Sequence, residues 1–102
     1  MKLLHTMIRV KNIDESLKFY TELLNMKLDH KKRLEDCWLY FLNDEEESTQ
    51  LELTYNDETP KEGYNLGNGF GHLAFSVKSF DEFTEKMNSL GYKYLYEPFD
   101  LN

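Results

Sequence analysis

The sequence predicts an α+β fold built from a duplicated β-α-β unit, and two observations support this prediction. The first is a self-match: HTMIRVKNIDESLKFYTELL, which begins at His5, reads almost in step with HLAFSVKSFDEFTEKMNSLG, which begins at His72, 67 residues later. The second is that each stretch changes from the two-residue alternation of a strand to the apolar spacing of an amphipathic helix. A self-match at a fixed offset is typical of a repeated supersecondary unit.

The first copy reads as β-α-β-β-β. Asn12, followed three residues later by Glu15, resembles a capping pair that starts a helix, and Asn25 ends the helical spacing. The charged run at 43–49 has no apolar period and predicts a surface turn. The predicted elements are a strand at 3–10, a helix at 13–24, a hairpin with arms at 26–34 and 37–42, and a strand at 50–56.

The second copy is shorter. It predicts a strand at 71–77, a helix capped by Ser79 and ending at Leu90, and the start of a strand at 94–97. We therefore expect one domain, in which residues 1–57 form the first βαβββ module, 58–69 a linker, and 70–102 a partial second module without its last two strands.

Composition excludes several classes of partner. The net charge is −7, with 19 acidic and 12 basic residues, so a polyanion such as nucleic acid would be repelled over most of the surface.

The first ten residues, interrupted by His5 and Arg9, form neither a signal peptide nor a membrane span. Cys37 is single, so it has no internal disulfide partner. We expect a cytoplasmic protein with no membrane or nucleic-acid partner, in which Cys37 is a buried apolar residue.

The polar faces of the predicted strands carry a set of side chains that would line a cavity: His5 and Arg9, then Glu52, Thr54 and Asn56, and finally His72 and Ser76. Two imidazoles and one carboxylate on rigid strands suit a divalent ion such as zinc, nickel, cobalt or iron(II). Taken singly, either histidine also fits a hydrogen-bonded core residue, and Glu52 also fits a strand-end ion pair. The basic run from His30 to Arg33 reads as a solvated strip.

Four motifs in order along the chain carry a resemblance to a known family: HTMIRV at 5–10, FYTELLNMKL at 19–28, LELTYN at 51–56 and GHLAFSV at 71–77. They are similar to bacterial glyoxalase I, lactoylglutathione lyase, of the vicinal oxygen chelate superfamily. The resemblance covers essentially the whole chain and implies paired βαβββ modules. It also implies isomerisation of the hemithioacetal of methylglyoxal and glutathione to S-lactoylglutathione, in a homodimer whose metal sites are shared between subunits.

The resemblance implies roles for individual residues. His5, Glu52 and His72 would bind a divalent metal, with nickel or cobalt favoured by the histidine at position 5 and zinc as the alternative. Glu52 would also act as a catalytic group in proton transfer. The family positions that contact the glutathione part of the substrate match Arg9, Thr54 and Asn56.

In the family, a second glutamate is the fourth ligand and the main catalytic base. The repeat offset places the counterpart of Glu52 near position 119, past Asn102, so we expect the chain to be part of a longer natural one. Two other functions stay open on the same three ligands. One is a non-haem iron(II) dioxygenase of the same superfamily, and the other is a truncated, non-catalytic module that binds a metal or a small ligand.

Overall fold

The computed structural model describes residues 1–100 of the chain. These residues divide into two compact units, one spanning Met1–Phe70 and the other beginning at Gly71. Each unit has its own secondary structure and is described separately. No helix within the described range has the length and apolar character needed to cross a lipid bilayer.

The first unit contains a four-stranded mixed sheet with one helical connection. Its elements are β1 His5–Arg9, α1 Ile13–Lys18, β2 Lys27–Arg33, β3 Cys37–Asn43 and β4 Gln50–Asn56. The strands lie in the order β1-β4-β3-β2, with β1 and β4 parallel and the other two pairs antiparallel. This arrangement confirms the predicted βαβββ module.

Helix α1 begins as the sequence predicts but does not continue as one α-helix. The side chain of Asn12 accepts a hydrogen bond from the backbone N–H of Glu15 at 3.1 Å, which satisfies one of the free donors of the first turn. From Phe19 to Leu23 the chain is a π-helix instead of the predicted α-helix. The boundary at Asn25 is confirmed, because Asn25 has a φ of 57° and so adopts the left-handed conformation that ends many helices.

A side-chain hydrogen bond lies beside the π-helical turn. The hydroxyl of Thr21 donates to the carbonyl of Leu17 at 2.6 Å, and such a bond competes with the regular helical ladder. The backbone N–H of Leu24 then donates to Phe19, five residues back, at 3.2 Å. Apolar spacing alone does not reveal this change of helical pitch.

The core of the first unit lies between the helical segment and one face of the sheet. The apolar face predicted for β4 is confirmed, since Leu51 and Leu53 are buried there. Ile13 and Leu17 of the helix pack against this buried cluster. Burial of this apolar stripe on each side is what holds helix and sheet together. The buried members of the cluster are Val10, Met26, Leu42, Leu51 and Leu53.

The β2–β3 hairpin contains a β-bulge that the sequence did not predict. Leu28 pairs with Leu42, but the next pair along is His30 with Phe41, so Asp29 is an extra residue on β2. Because side chains alternate along a strand, one extra residue exchanges the two faces for everything that follows it. The bulge therefore determines which side of the sheet His30 faces.

The second unit forms only the helix among its predicted elements. Helix α2 spans Phe80–Ser89, and the Ser79 hydroxyl accepts from the N–H of Glu82 at 3.2 Å, as the capping pattern predicts. The predicted strands at 71–77 and 94–97 are wrong, since neither segment joins a ladder within residues 1–100. A strand is stabilised by hydrogen bonds to a neighbouring strand, and residues 71–77 are exposed along their whole length.

Tyr94 shows what replaces the second of these strands. Its ring stacks on Phe80 at the start of α2, with centroids 5.7 Å apart and an angle of 5° between the planes. Its hydroxyl also lies 2.6 Å from the Thr84 hydroxyl. The segment after α2 thus packs against α2 through Tyr94.

Candidate active site

The face of the sheet opposite the core collects the predicted site residues of the first unit. Parallel pairing aligns Arg9 with Thr54, and Glu52 lies on the same face of β4, two residues before Thr54. His5 shares the face with Arg9 because the two are separated by four residues of strand. The structure confirms that these side chains lie on one side of the sheet.

Glu52 lies at the centre of this face with both carboxylate oxygens in contact with a partner. Its residue surface is only 8% exposed. Oε1 is 3.2 Å from Nε2 of His5, and Oε2 accepts a hydrogen bond from the Thr54 hydroxyl at 2.9 Å. A carboxylate that is removed from water needs such partners, because each unpaired oxygen would carry a desolvation penalty.

His5 is more open than Glu52, with 42% of its side chain exposed. Its ring meets Phe41 edge to face, with centroids 5.6 Å apart and the planes at 83°. Phe41 is the register partner of Glu52 on β3. The imidazole therefore has a carboxylate at Nε2 and an aromatic ring beside it.

The aromatic contact continues to β2. The ring of His30 stacks on Phe41 with centroids 4.4 Å apart and planes within 9° of parallel. Nδ1 of His30 lies 2.6 Å from the carboxylate of Asp29, and this hydrogen bond holds the pKa of Asp29 below its usual value. The sequence predicts that His30 belongs to a solvated strip, and it does not predict Phe41 as a site residue. The signal that identifies them is the bulge, which changes the face of His30.

Asn56 and Arg9 lie towards the end of the same face. Oδ1 of Asn56 accepts a hydrogen bond from the Tyr64 hydroxyl at 3.2 Å, and that hydroxyl also lies 3.1 Å from the Thr59 hydroxyl. Because the carbonyl oxygen of the Asn56 amide is engaged, its NH₂ group remains as the donor. Arg9 is exposed, and within residues 1–100 it makes no ion pair.

His72 belongs to the second unit, where it is exposed and lies outside regular secondary structure. Within residues 1–100, no three His, Cys, Asp or Glu side chains are grouped as a metal site requires. The first unit brings two of the three predicted ligands together, His5 and Glu52. An imidazole nitrogen facing a carboxylate oxygen is a donor pair that fits a divalent ion of borderline softness.

Cys37 is the register partner of Asn56 on β4. It is buried at the start of β3, with 6% of its surface exposed, and forms no disulfide. Its burial agrees with the expectation of a small apolar residue.

The chain belongs to the Glyoxalase/Bleomycin resistance protein/Dioxygenase superfamily, whose family model matches residues 2–101. Its similarity to curated proteins is high over most of its length. The chain is 43% identical to the probable lactoylglutathione lyase of Synechocystis sp., an alignment covering 96% of this chain and 76% of the relative. It is 44% identical to the lactoylglutathione lyase of Neisseria meningitidis, covering 89% of this chain and 67% of the relative.

Solved structures show the same fold. The trypanothione-dependent glyoxalase I of Leishmania major superposes with a TM-score of 0.80 at 37% identity, covering 97% of this chain and 73% of that one. Glyoxalase I of Zea mays superposes with a TM-score of 0.82 at 33% identity, covering 99% of this chain and 37% of that one. These similarities confirm the predicted glyoxalase fold and the resemblance to glyoxalase I.

Proposed function

We propose that this protein is a metal-dependent lactoylglutathione lyase, which isomerises the hemithioacetal of methylglyoxal and glutathione to S-lactoylglutathione. The observation that carries the proposal is the pairing of His5 with Glu52 on the polar face of a glyoxalase-fold sheet. The names of these relatives support the same reaction. Fold membership alone would leave the reaction open, because one fold hosts many activities.

We propose that His5, Glu52 and His72 bind the metal, with nickel or cobalt favoured and zinc as the alternative. A divalent ion bound there would polarise the substrate oxygens and stabilise negative charge that develops on them. In this proposal the ligands come from both units of the chain. We further propose a homodimer in which each metal site takes His5 and Glu52 from one subunit and His72 from its twin.

The reaction moves one proton between adjacent carbons of the substrate, so its balance requires a base that removes the proton and an acid that returns it. Glu52 is suited to one of these roles because its carboxylate is partly withdrawn from water and fixed by Thr54 at 2.9 Å. A fixed, desolvated carboxylate needs little rearrangement when it accepts a proton. The family's second glutamate would be the main base.

The remaining residues of the face would orient the substrate. The exposed guanidinium of Arg9 is a bidentate donor suited to the glutamyl carboxylate of the adduct. The amide NH₂ of Asn56, left free to donate by the bond from Tyr64, would bind a carbonyl oxygen of the peptide part. Thr54, which is engaged with Glu52, would complete this contact surface.

The cellular setting remains a proposal from the sequence. A single, buried free cysteine fits a reducing compartment, so we propose a cytoplasmic enzyme.

The test compares the protein loaded with nickel, cobalt or zinc with its Glu52→Gln variant, using methylglyoxal and glutathione as substrates. E52Q keeps the size of the side chain but removes the carboxylate, so we expect activity to fall by about 10²–10⁴-fold. Glu58→Gln, which makes the same charge change just after β4, is the matched control and should keep activity. Metal content of each variant is measured in parallel.

Two other results would contradict the proposal. A protein that binds metal but is equally inactive with all three ions as this chain and as a chain extended through the second glutamate would be a non-catalytic binding module. Turnover of a catechol under air by the iron(II) form, without isomerase activity, would identify a dioxygenase.

A further inference from the structure

We propose that Phe41 is a positioning residue that fixes the ring plane of His5, and that His30, turned onto the same face by the β-bulge, holds Phe41 in place. The inference rests on the proposed function only in taking His5 as a metal ligand. The contacts that carry it lie entirely within the first unit, and they do not depend on a bound ion.

The position of His5 is not fixed by burial. It begins β1, an edge strand of the sheet, and 42% of its side chain is exposed. The contact of Nε2 with Glu52 restrains one atom of the ring but leaves the ring free to turn about that direction. Phe41, whose ring is perpendicular to the imidazole at a centroid distance of 5.6 Å, is the contact that defines the plane.

Phe41 in turn is held from its other side. His30 covers it in a nearly parallel stack at 4.4 Å, and Nδ1 of His30 is bonded to Asp29 at 2.6 Å. The second carboxylate oxygen of Asp29 accepts from the amide of Asn43 on β3 at 3.3 Å. The His30 ring is therefore tied to its own strand and to the neighbouring one, although 52% of its side chain is exposed.

The bulge is what makes this arrangement achievable. In a regular ladder Asp29 would pair with Phe41, and alternation would place His30 opposite Tyr40, on the core face of the sheet. With the bulge, His30 is the register partner of Phe41, which is the register partner of Glu52. Bulges beside functional sites commonly re-aim a side chain in this way.

The first experiment is NMR of the histidine ring protons in the metal-free protein. Phe41→Leu removes the ring but keeps an apolar side chain of similar reach, and His30→Ala removes the stack. We expect both to shift the His5 ring resonances, because the ring current of Phe41 is lost or displaced. His30→Phe, which keeps an aromatic ring in the stack, should restore resonances close to those of the wild type.

Lys31→Ala is the matched control. Lys31 neighbours His30 on the same exposed strand, but its ammonium lies over Trp38 on the opposite face, 4.9 Å from the ring centroid. This variant should leave the His5 resonances unchanged. The proposal is overturned if F41L leaves them unchanged as well, and the role of the His30 ring is overturned if H30F behaves like H30A.

The second experiment measures the dissociation constant for cobalt(II) and the visible spectrum of the cobalt form. Loss of a group that orients a metal ligand typically weakens metal binding about 10–100-fold, and we expect F41L and H30A near the lower end, with H30F close to wild type. If the wild type binds no metal, the proposed function fails, while unchanged His5 resonances in metal-free F41L would still overturn the positioning role of Phe41. If the wild type binds cobalt and F41L binds it equally well, positioning is overturned and the proposed function stands.

Discussion

At the scale of single residues, Glu52 shows what strand alternation predicts and what it does not. A carboxylate in the middle of an otherwise apolar strand was predicted to face away from the core together with Thr54, and the structure confirms that placement. Alternation cannot tell which strands are neighbours. The 3.2 Å contact of Glu52 with His5 depends on the parallel pairing of β1 with β4, which only the complete sheet provides.

The Thr54 hydroxyl contributes to stability through Glu52. Thr54→Val keeps the shape of the side chain but leaves Oε2 of a buried carboxylate without its hydrogen bond. We expect the free energy of unfolding to fall by about 1–3 kcal/mol, the usual penalty for an unsatisfied buried group. Urea denaturation of the metal-free protein measures the difference.

Thr49→Val is the control for this change. The Thr49 hydroxyl donates to the backbone carbonyl of Leu4 at 3.1 Å, but this bond is exposed, so water can replace it. T49V should therefore be closer to wild type than T54V. Equal stability of T54V and wild type would show that Glu52 obtains its hydrogen bond elsewhere.

At the scale of secondary-structure elements, strand β2 was the least predictable. Its run of charged residues predicts a solvated strip, and all seven residues are indeed exposed. The exposed side chains nevertheless lie on two different faces of the sheet. Lys31 lies over Trp38 on one face, and His30 lies over Phe41 on the other. A bulge is a property of two paired strands, so the sequence of one strand does not reveal it.

An ion pair ties the end of β2 to the residue after β4. The Arg33 guanidinium donates to both carboxylate oxygens of Asp57, at 2.8 and 2.6 Å, and this holds the pKa of Asp57 below its usual range. Because the folded-state pKa is lowered, the pair stabilises the fold above the unfolded value of about 3.9, and this contribution is lost as pH falls through the folded-state pKa.

We therefore expect Asp57→Asn to lower the melting temperature at neutral pH, and the difference from wild type to shrink below about pH 4. The effect should be small, since exposed ion pairs contribute little. Thermal denaturation over this pH range measures it. Glu58→Gln, which relieves the same amount of negative charge on this acidic protein, should not lower the melting temperature. A D57N curve parallel to wild type at every pH would contradict the linkage.

At the scale of the whole molecule, the two copies of the repeat have different outcomes. The first forms the complete βαβββ module, whereas the second forms helix α2 and no strand within the described residues. Helical hydrogen bonds are local, so a capping residue such as Ser79 and an apolar stripe suffice to predict α2. Strand bonds are made to another segment, and the self-match cannot supply that partner.

The proposed sharing of sites between subunits predicts complementation between two inactive variants. His5→Ala and His72→Ala each remove one proposed ligand from every site of a homodimer, so each alone should lose metal binding and activity. In a mixed dimer, one site would lack both histidines while the other would contain both. Random reassociation of equal amounts should then recover about a quarter of the wild-type sites, since half of the dimers are mixed and each has one intact site.

The experiment unfolds and refolds the two variants together and measures bound cobalt and isomerase activity, with each variant refolded alone as the control. Recovery towards a quarter would support sites built from two chains. No recovery, although size measurements show that mixed dimers have formed, would mean that each site takes both histidines from the same chain. A refolded protein that stays monomeric yet binds metal would contradict the dimer itself. The result separates these arrangements because a ligand removed from one chain can be replaced only if its twin contributes to the same site.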